Sequence, residues 1–275
     1  MRLLGSAIFL CVLSACGGGD NVAHLPYEPY ADEPPPDTTT LESLMVASSP
    51  TKSKDFYLLP DSDDYDNIPQ DPLNPLTGAK VEVGKLIYHD PAFATEGIAL
   101  RAKTWSCASC HHARAGFKSG MIQGIGEGGE GFGLKGETRG WFDPEIGTQD
   151  ADVQPVTSPT ILNVAFQDVM LWNGQLGNAS NGIINVGIDP EILMTAGPPK
   201  VANAEGLSGI ETQAIAGTGV HRILGFPPEL EDSDYYQMLL DAFPEYSRDE
   251  LHKSSTRAIA AFERTVLANQ SPFQL

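Results

Sequence analysis

Cysteine is scarce in this chain, with four in 275 residues. Two lie at the extreme N-terminus, Cys11 and Cys16, and the other two are Cys107 and Cys110. No second close pair stands elsewhere, which excludes a four-ligand zinc site built from cysteine pairs. Positive charge is scarce too: Lys and Arg total 17 against 36 Asp and Glu, a formal net charge of -19. Such a surface repels nucleic acid and anionic membranes, so no nucleic-acid partner is expected. The acidity either keeps the protein soluble or steers a basic redox partner toward it. Strand periodicity is weak throughout. The glycines at 124, 126, 128, 129, 131 and 133 follow no strand, and no Lys-Ser or Lys-Thr succeeds them, which excludes a nucleotide-binding loop.

A long apolar run is also missing. Leu3 to Leu13, preceded by Met1-Arg2, is too short to span a bilayer and has the form of an export leader. It closes with Leu13-Ser14-Ala15-Cys16, which resembles a bacterial lipobox. By that resemblance residues 1–15 are removed and Cys16 carries lipid; the alternative is an ordinary leader cut near Ala15. Both readings place the chain in the periplasm, the first with a lipid anchor, the outer membrane being favoured, as its sole membrane contact.

What is present is Cys107-Ala108-Ser109-Cys110-His111. C-x-x-C-H is the attachment pattern of a c-type haem. Positions three apart share a helix face, so both thiols reach the vinyl groups of one porphyrin, and the histidine that follows ligates the iron. A thioredoxin-like pair would not need His111. With Cys11 leaving in the leader, Cys16 lipidated, and Cys107 and Cys110 on haem, no cysteine remains for a structural disulfide. One covalently bound haem c is expected.

Residues 16–70, with Pro34-Pro35-Pro36-Asp37-Thr38-Thr39-Thr40 and scattered acids, read as a disordered tether with an isolated helix around Leu41 to Ala47. Residues 71–275 read as one mainly α, cytochrome c-like haem domain with long glycine-rich loops. Helices are predicted over Gly78 to Tyr88, Ile210 to Ile223 and Ser233 to Phe243. A last one follows the capping box Ser247-x-x-Glu250 and carries Leu251, Ala258, Ile259, Phe262 and Val266 on one face.

Several segments resemble, in order, the bacterial di-haem cytochrome c peroxidase family that includes the MauG-type enzymes. Val83-Gly84-Lys85-Leu86-Ile87-Tyr88-His89-Asp90-Pro91 is similar to its leading Leu-Gly-Lys-x-Leu-Phe-x-Asp-Pro helix. Ser106 to His111 is similar to its first haem site, and Ser158-Pro159-Thr160-Ile161-Leu162-Asn163 to its Ser/Thr-Pro-Thr-x-x-Asn segment. Leu171-Trp172-Asn173-Gly174-Gln175 is a variant of Phe-Trp-Asp-Gly-Arg. Glu211-Thr212-Gln213-Ala214 and Ala258 to Arg264 match its Gln-Ala stretch and its Ala-Phe-x-Arg helix.

The resemblance implies reduction of hydrogen peroxide with electrons from a small donor protein of cytochrome c or cupredoxin type. It assigns Cys107, Cys110 and His111 to the haem and Gln213 to the distal side. Trp172 corresponds to the tryptophan between the family's two haems, or else is a core aromatic beside the porphyrin. The chain departs from the pattern in two places. No second C-x-x-C-H follows the Ala-Phe-x-Arg helix, so a separate second haem domain is an expected partner. Where the family places a catalytic glutamate past its glutamine, this chain has His221-Arg222. These two supply a base and a positive charge, or His221 is a sixth iron ligand, or it is a surface histidine. Other sixth-ligand candidates are His89, Met121, Met170, Met194 and Met238. The alternative function is a mono-haem electron carrier without peroxide chemistry.

Overall fold

The computed structural model describes residues 38–95, 102–141, 151–167, 169–172, 176–177, 207–223 and 225–271. Residues 1–15, read above as a leader, together with Cys16, Met194 and residues 173–175, lie outside them. The chain divides into two units, residues 1–56 and 57–275. In the first, helix α1 (Thr38–Ser48) is longer than the isolated helix expected there. Its Glu42 meets Lys54 at 2.9 Å, both exposed, so the pair contributes little.

The second unit is built on helices. They are α2 (Gly78–His89), the single turn α3 (Cys107–Cys110), α4 (Gly209–Val220), α5 (Asp234–Ala242) and α6 (Leu251–Arg264). Sheet is confined to two antiparallel two-residue ribbons among the described residues. β1 (Gly129–Glu130) pairs with β2 (Gly140–Trp141), and β3 (Val169–Met170) with β4 (Leu176–Gly177). No helix among the described residues is long and apolar enough to cross a membrane.

Thr77 starts α2, its hydroxyl accepting from the Lys80 N–H at 3.3 Å, and Asp90-Pro91 stops it. The buried positions Lys80, Val83, Gly84, Ile87 and Tyr88 recur at three- and four-residue spacing and lie along α6. Gly84 sets the distance between the two helices, because a Cβ there would stand 1.8 Å from the Ala258 carbonyl oxygen. The expected capping box forms before α6, with the Ser247 N–H donating to Glu250 Oε2 at 3.2 Å. Tyr235 of α5 donates to Asp90 Oδ2 at 2.8 Å, tying α5 to the end of α2.

α4 and α6 are joined by a buried ion pair. Arg264 grips Glu211 through Nε at 2.9 Å and Nη2 at 2.6 Å, and its Nη1 donates to the Pro69 carbonyl at 2.9 Å. This network draws in residues assigned above to the tether. Ile68 is buried, and Asn269 donates to the Pro60 carbonyl at 3.0 Å. The compact unit therefore takes in residues 57–70. Composition could not show this, because the segment is held by backbone carbonyls and by the isolated apolar side chains Tyr65 and Ile68, packed against Leu76, Ala165, Ala261 and Leu267, with no periodic apolar face.

Candidate functional site

Trp105 is buried ahead of the C-x-x-C-H turn, its indole N–H donating to the His221 carbonyl at 2.8 Å. The Ser106 N–H then donates to Ser109 Oγ at 3.0 Å, and the His111 N–H to the Cys107 carbonyl at 3.0 Å, closing α3. Cys107 and Cys110 are three apart on this turn, both unpaired. Burial pushes both thiols up to about 12, so both are protonated at neutral pH. Gly124 makes room for Cys110: a Cβ there would sit 2.9 Å from its Sγ and 2.9 Å from Ser158 Oγ. Part of the glycine-rich loop thus packs directly on the cysteine turn.

His111 is oriented from two segments. Its Nδ1 lies 2.9 Å from the Pro159 carbonyl and 3.3 Å from that of Phe117. Carbonyls only accept, so Nδ1 carries the proton and Nε2 keeps its lone pair as a ligand. Burial, partly opposed by these carbonyls, holds the imidazole below the usual histidine range, which favours the neutral form a metal requires. The Ser158-Pro159-Thr160 segment enters the site through this carbonyl and through Ser158 and Pro159 in the cavity wall. Tyr88 of α2 adds a hydrogen bond to the His111 carbonyl at 3.3 Å.

α3 opens onto a cavity of about 400 Å³, within the ~300–1,000 Å³ common for cofactor pockets. Trp105, Cys107, Cys110 and His111 form one part of its wall, Gln213, Gly217, Val220 and His221 of α4 and its C-cap another, and Ile259 and Glu263 of α6 a third. Among the described residues no cluster of three or more His, Cys, Asp or Glu is set to hold a bare metal ion. Two unpaired cysteines at haem-attachment spacing, a histidine with Nε2 unspent, and a largely apolar cavity beside them fit a covalently attached haem.

The sequence-predicted distal residues separate. Gln213 and His221 line the cavity. Arg222 does not; it takes a left-handed turn (φ 55°) and its guanidinium pairs with the fully buried Glu127 carboxylate. The pairing of His221 with Arg222 as adjacent catalytic groups is corrected on this point, because the helix ends at Val220 and the two side chains diverge. Of the two readings of Trp172, the core aromatic is corrected, and the position between two haems is not addressed by this chain alone. Leu171 lines the cavity while Trp172, the next residue, is fully exposed to solvent. Of the other sixth-ligand candidates, His89, Met121, Met170 and Met238 are absent from the cavity wall.

One candidate residue was not foreseen. Asp152 Oδ2 lies 2.9 Å from His221 Nδ1, and Asp152 Oδ1 accepts from Gln154 Nε2 at 2.9 Å. The carboxylate can only accept from the ring and at 2.9 Å is nearer than the donating Gln154 amide nitrogen at 3.2 Å, so Nδ1 is the protonated nitrogen and Nε2 is left for the cavity. Both histidines of this cavity are therefore fixed in the same tautomer by an acceptor behind them. An aspartate in an acid-rich loop carried no signal of this.

Comparison with known proteins shows the family. The family model described as di-haem cytochrome c peroxidase matches residues 78–275. Cytochrome c peroxidase Ccp of Escherichia coli is 26% identical over 199 residues, 72% of this chain and 31% of that protein. The methylamine utilization protein MauG of Methylorubrum extorquens is 21% identical over 208 residues, 76% of this chain and 44% of that one. Cytochrome c551 peroxidase of Pseudomonas aeruginosa is 24% identical over 204 residues, covering 73% and 43% respectively. The chain thus spans less than half the length of these curated relatives. With its mainly helical fold and its C-x-x-C-H cavity, this chain belongs to the di-haem cytochrome c peroxidase family.

Proposed function

We propose that this chain holds one haem c at Cys107 and Cys110, with His111 as proximal ligand, and reduces hydrogen peroxide. Electrons come from a small donor of cytochrome c or cupredoxin type, reaching the site with a second haem domain as partner. The protein is exported to the periplasm and anchored through lipid on Cys16. The observation that carries the reading is the Asp152–His221 pair in the wall of the cavity that His111 also lines.

When bound, the haem supplies an iron that takes peroxide and passes electrons one at a time. The protein residues manage protons. With haem held by Cys107, Cys110 and His111, His221 Nε2 would accept a proton from hydrogen peroxide and return it to the oxygen that leaves as water. Asp152, holding Nδ1–H, keeps the ring in position and stabilises the imidazolium formed between these two transfers. Gln213 offers an amide to the bound substrate, and Leu171, Leu176, Ile223 and Ile259 limit water. The sum is one peroxide, two electrons and two protons giving two waters. The acidic surface favours encounter with a donor carrying a basic patch.

The test is peroxide turnover by the haem-loaded protein and its His221→Ala variant. Loss of the base is expected to cost about 10²–10⁴-fold in rate with the haem still attached. An unchanged rate would contradict the assignment. The same free Nε2 also supports the second reading, a mono-haem electron carrier with His221 as sixth ligand. In that case the wild type is low-spin and indifferent to peroxide, and His221→Ala becomes high-spin.

A further inference from the structure

Glu263, one residue before the Arg264 anchor, faces the cavity beside Cys107 and has no role in the proton chemistry assigned to His221. No hydrogen-bond donor reaches its carboxyl group among the described residues. The neighbouring Arg264 cannot serve it, because Nε and Nη2 are spent on Glu211 and Nη1 on the Pro69 carbonyl. The groups facing it are Glu211 from α4, Tyr88 from α2, Cys107 from α3 and Arg264 on its own helix. Glu211 repels a second negative charge. Tyr88 is held well above the usual phenol range, chiefly by burial, and stays protonated. Cys107 becomes a thioether once the haem is attached and no longer titrates.

Burial and Glu211, in that order, push the Glu263 carboxyl up to about 8, so its ionisation falls close to working pH. A haem bound at Cys107 puts a redox-variable charge next to it. Adding an electron to that haem favours the neutral carboxyl, and removing one favours the carboxylate.

We propose that Glu263 is a redox-linked proton acceptor, taking a proton as the attached haem takes an electron and releasing it on reoxidation. The step balances. One electron arrives from the one-electron donor and one proton from solvent, a single O–H bond forms on the Glu263 carboxylate, and the pocket's net charge is unchanged. The inference rests on haem attachment at Cys107 and Cys110 but not on peroxide as substrate.

The experiment is a spectroelectrochemical titration of the haem-loaded protein from neutral to alkaline pH. Between the Glu263 pKa values of the oxidised and reduced states, each pH unit upward should weaken reduction tenfold, about 59 mV for a one-electron couple. Glu263→Gln, of the same shape but unable to titrate, should be flat over that window. His221 and Asp152 share the cavity, so a slope that survives in Glu263→Gln would assign the proton elsewhere and overturn the proposal. A reduced-minus-oxidised infrared spectrum provides a second readout: a protonated-carboxyl band should appear on reduction of the wild type and be missing from Glu263→Gln. If Glu263→Gln does not load haem, Glu263→Asp should keep a displaced slope and a shifted band. A wild type with neither slope nor band overturns the proposal, whereas a wild type without covalent haem would overturn the attachment on which it rests.

Discussion

Replacing Gly84 by alanine tests the packing beneath the haem turn, because two well-known effects oppose each other there. In an exposed helix the change is favourable by about 1 kcal/mol, since alanine loses less backbone entropy. At Gly84 the new Cβ would lie 1.8 Å from the Ala258 carbonyl oxygen, 2.4 Å from its carbon and 3.1 Å from the Ile259 nitrogen. These are backbone atoms of α6 and cannot swing aside as a side chain would. Restoring ordinary contact requires α2 to withdraw by roughly 1.5 Å, which loosens Val83, Ile87 and Tyr88 against α6. Overpacking of this kind costs about 1–3 kcal/mol, and a backbone obstacle puts Gly84 at the upper end. The net loss is then about 2 kcal/mol, or roughly 4–8 °C in Tm for a domain of this size. Thermal unfolding followed by helical circular dichroism reads it directly. Haem loading should fall as well, since α2 carries the Tyr88 hydroxyl that meets the His111 carbonyl. A variant melting at or above the wild-type temperature would refute the reasoning.

Three further outcomes are expected. Glu211→Ala strands the Arg264 guanidinium, which is 3% exposed, and should cost about 3–5 kcal/mol in urea unfolding; an unchanged midpoint would show that the pair is dispensable. Asp152→Asn removes the acceptor that fixes His221 and should slow reaction with peroxide about 10- to 100-fold at unchanged haem content; equal rates would show that Asp152 does not position the ring. Glu263 gives stability a pH dependence of definite sign. Its folded pKa is raised above the ordinary 4.5 to about 8, so the folded protein binds the proton more tightly than the unfolded chain. The stabilising effect is complete below the unfolded value and is lost as pH rises through about 8. Wild-type stability should therefore fall between these values by up to about 1.4 kcal/mol per pH unit, and Glu263→Gln should lack that component. Parallel pH profiles for the two proteins would contradict it.

The parts legible in the sequence are those encoded by local spacing. C-x-x-C-H, the helix over Gly78 to Tyr88 and the Ser247 capping box each depend on residues within one or two turns. Each forms where expected. The helix predicted over Ile210 to Ile223 ends earlier, at Val220, because Arg222 adopts a left-handed conformation to reach Glu127. That partner is far away in sequence, and so is Asp152 from His221. The Pro69 carbonyl, bound to Arg264 of the last helix, and the Pro60 carbonyl, bound to Asn269 beyond it, have the same property. Trp172 illustrates a different limit: its motif identified its place in the chain, but its exposure follows from the turn at Leu171 (φ 65°). Glu263 stands at the variable position of the Ala-Phe-x-Arg match and outside the apolar stripe, so nothing local marked it; its place in the cavity wall, with no hydrogen-bond donor among the described residues, depends on how α4 and α6 pack.

The most direct test of the central claim is the optical spectrum of the ferric, haem-loaded protein before and after one equivalent of hydrogen peroxide. The account predicts a high-spin iron with an open position next to His221, and a spectrum that changes at once on addition. A low-spin iron whose spectrum is unmoved by peroxide would contradict it and leave His221 as the sixth ligand of an electron carrier.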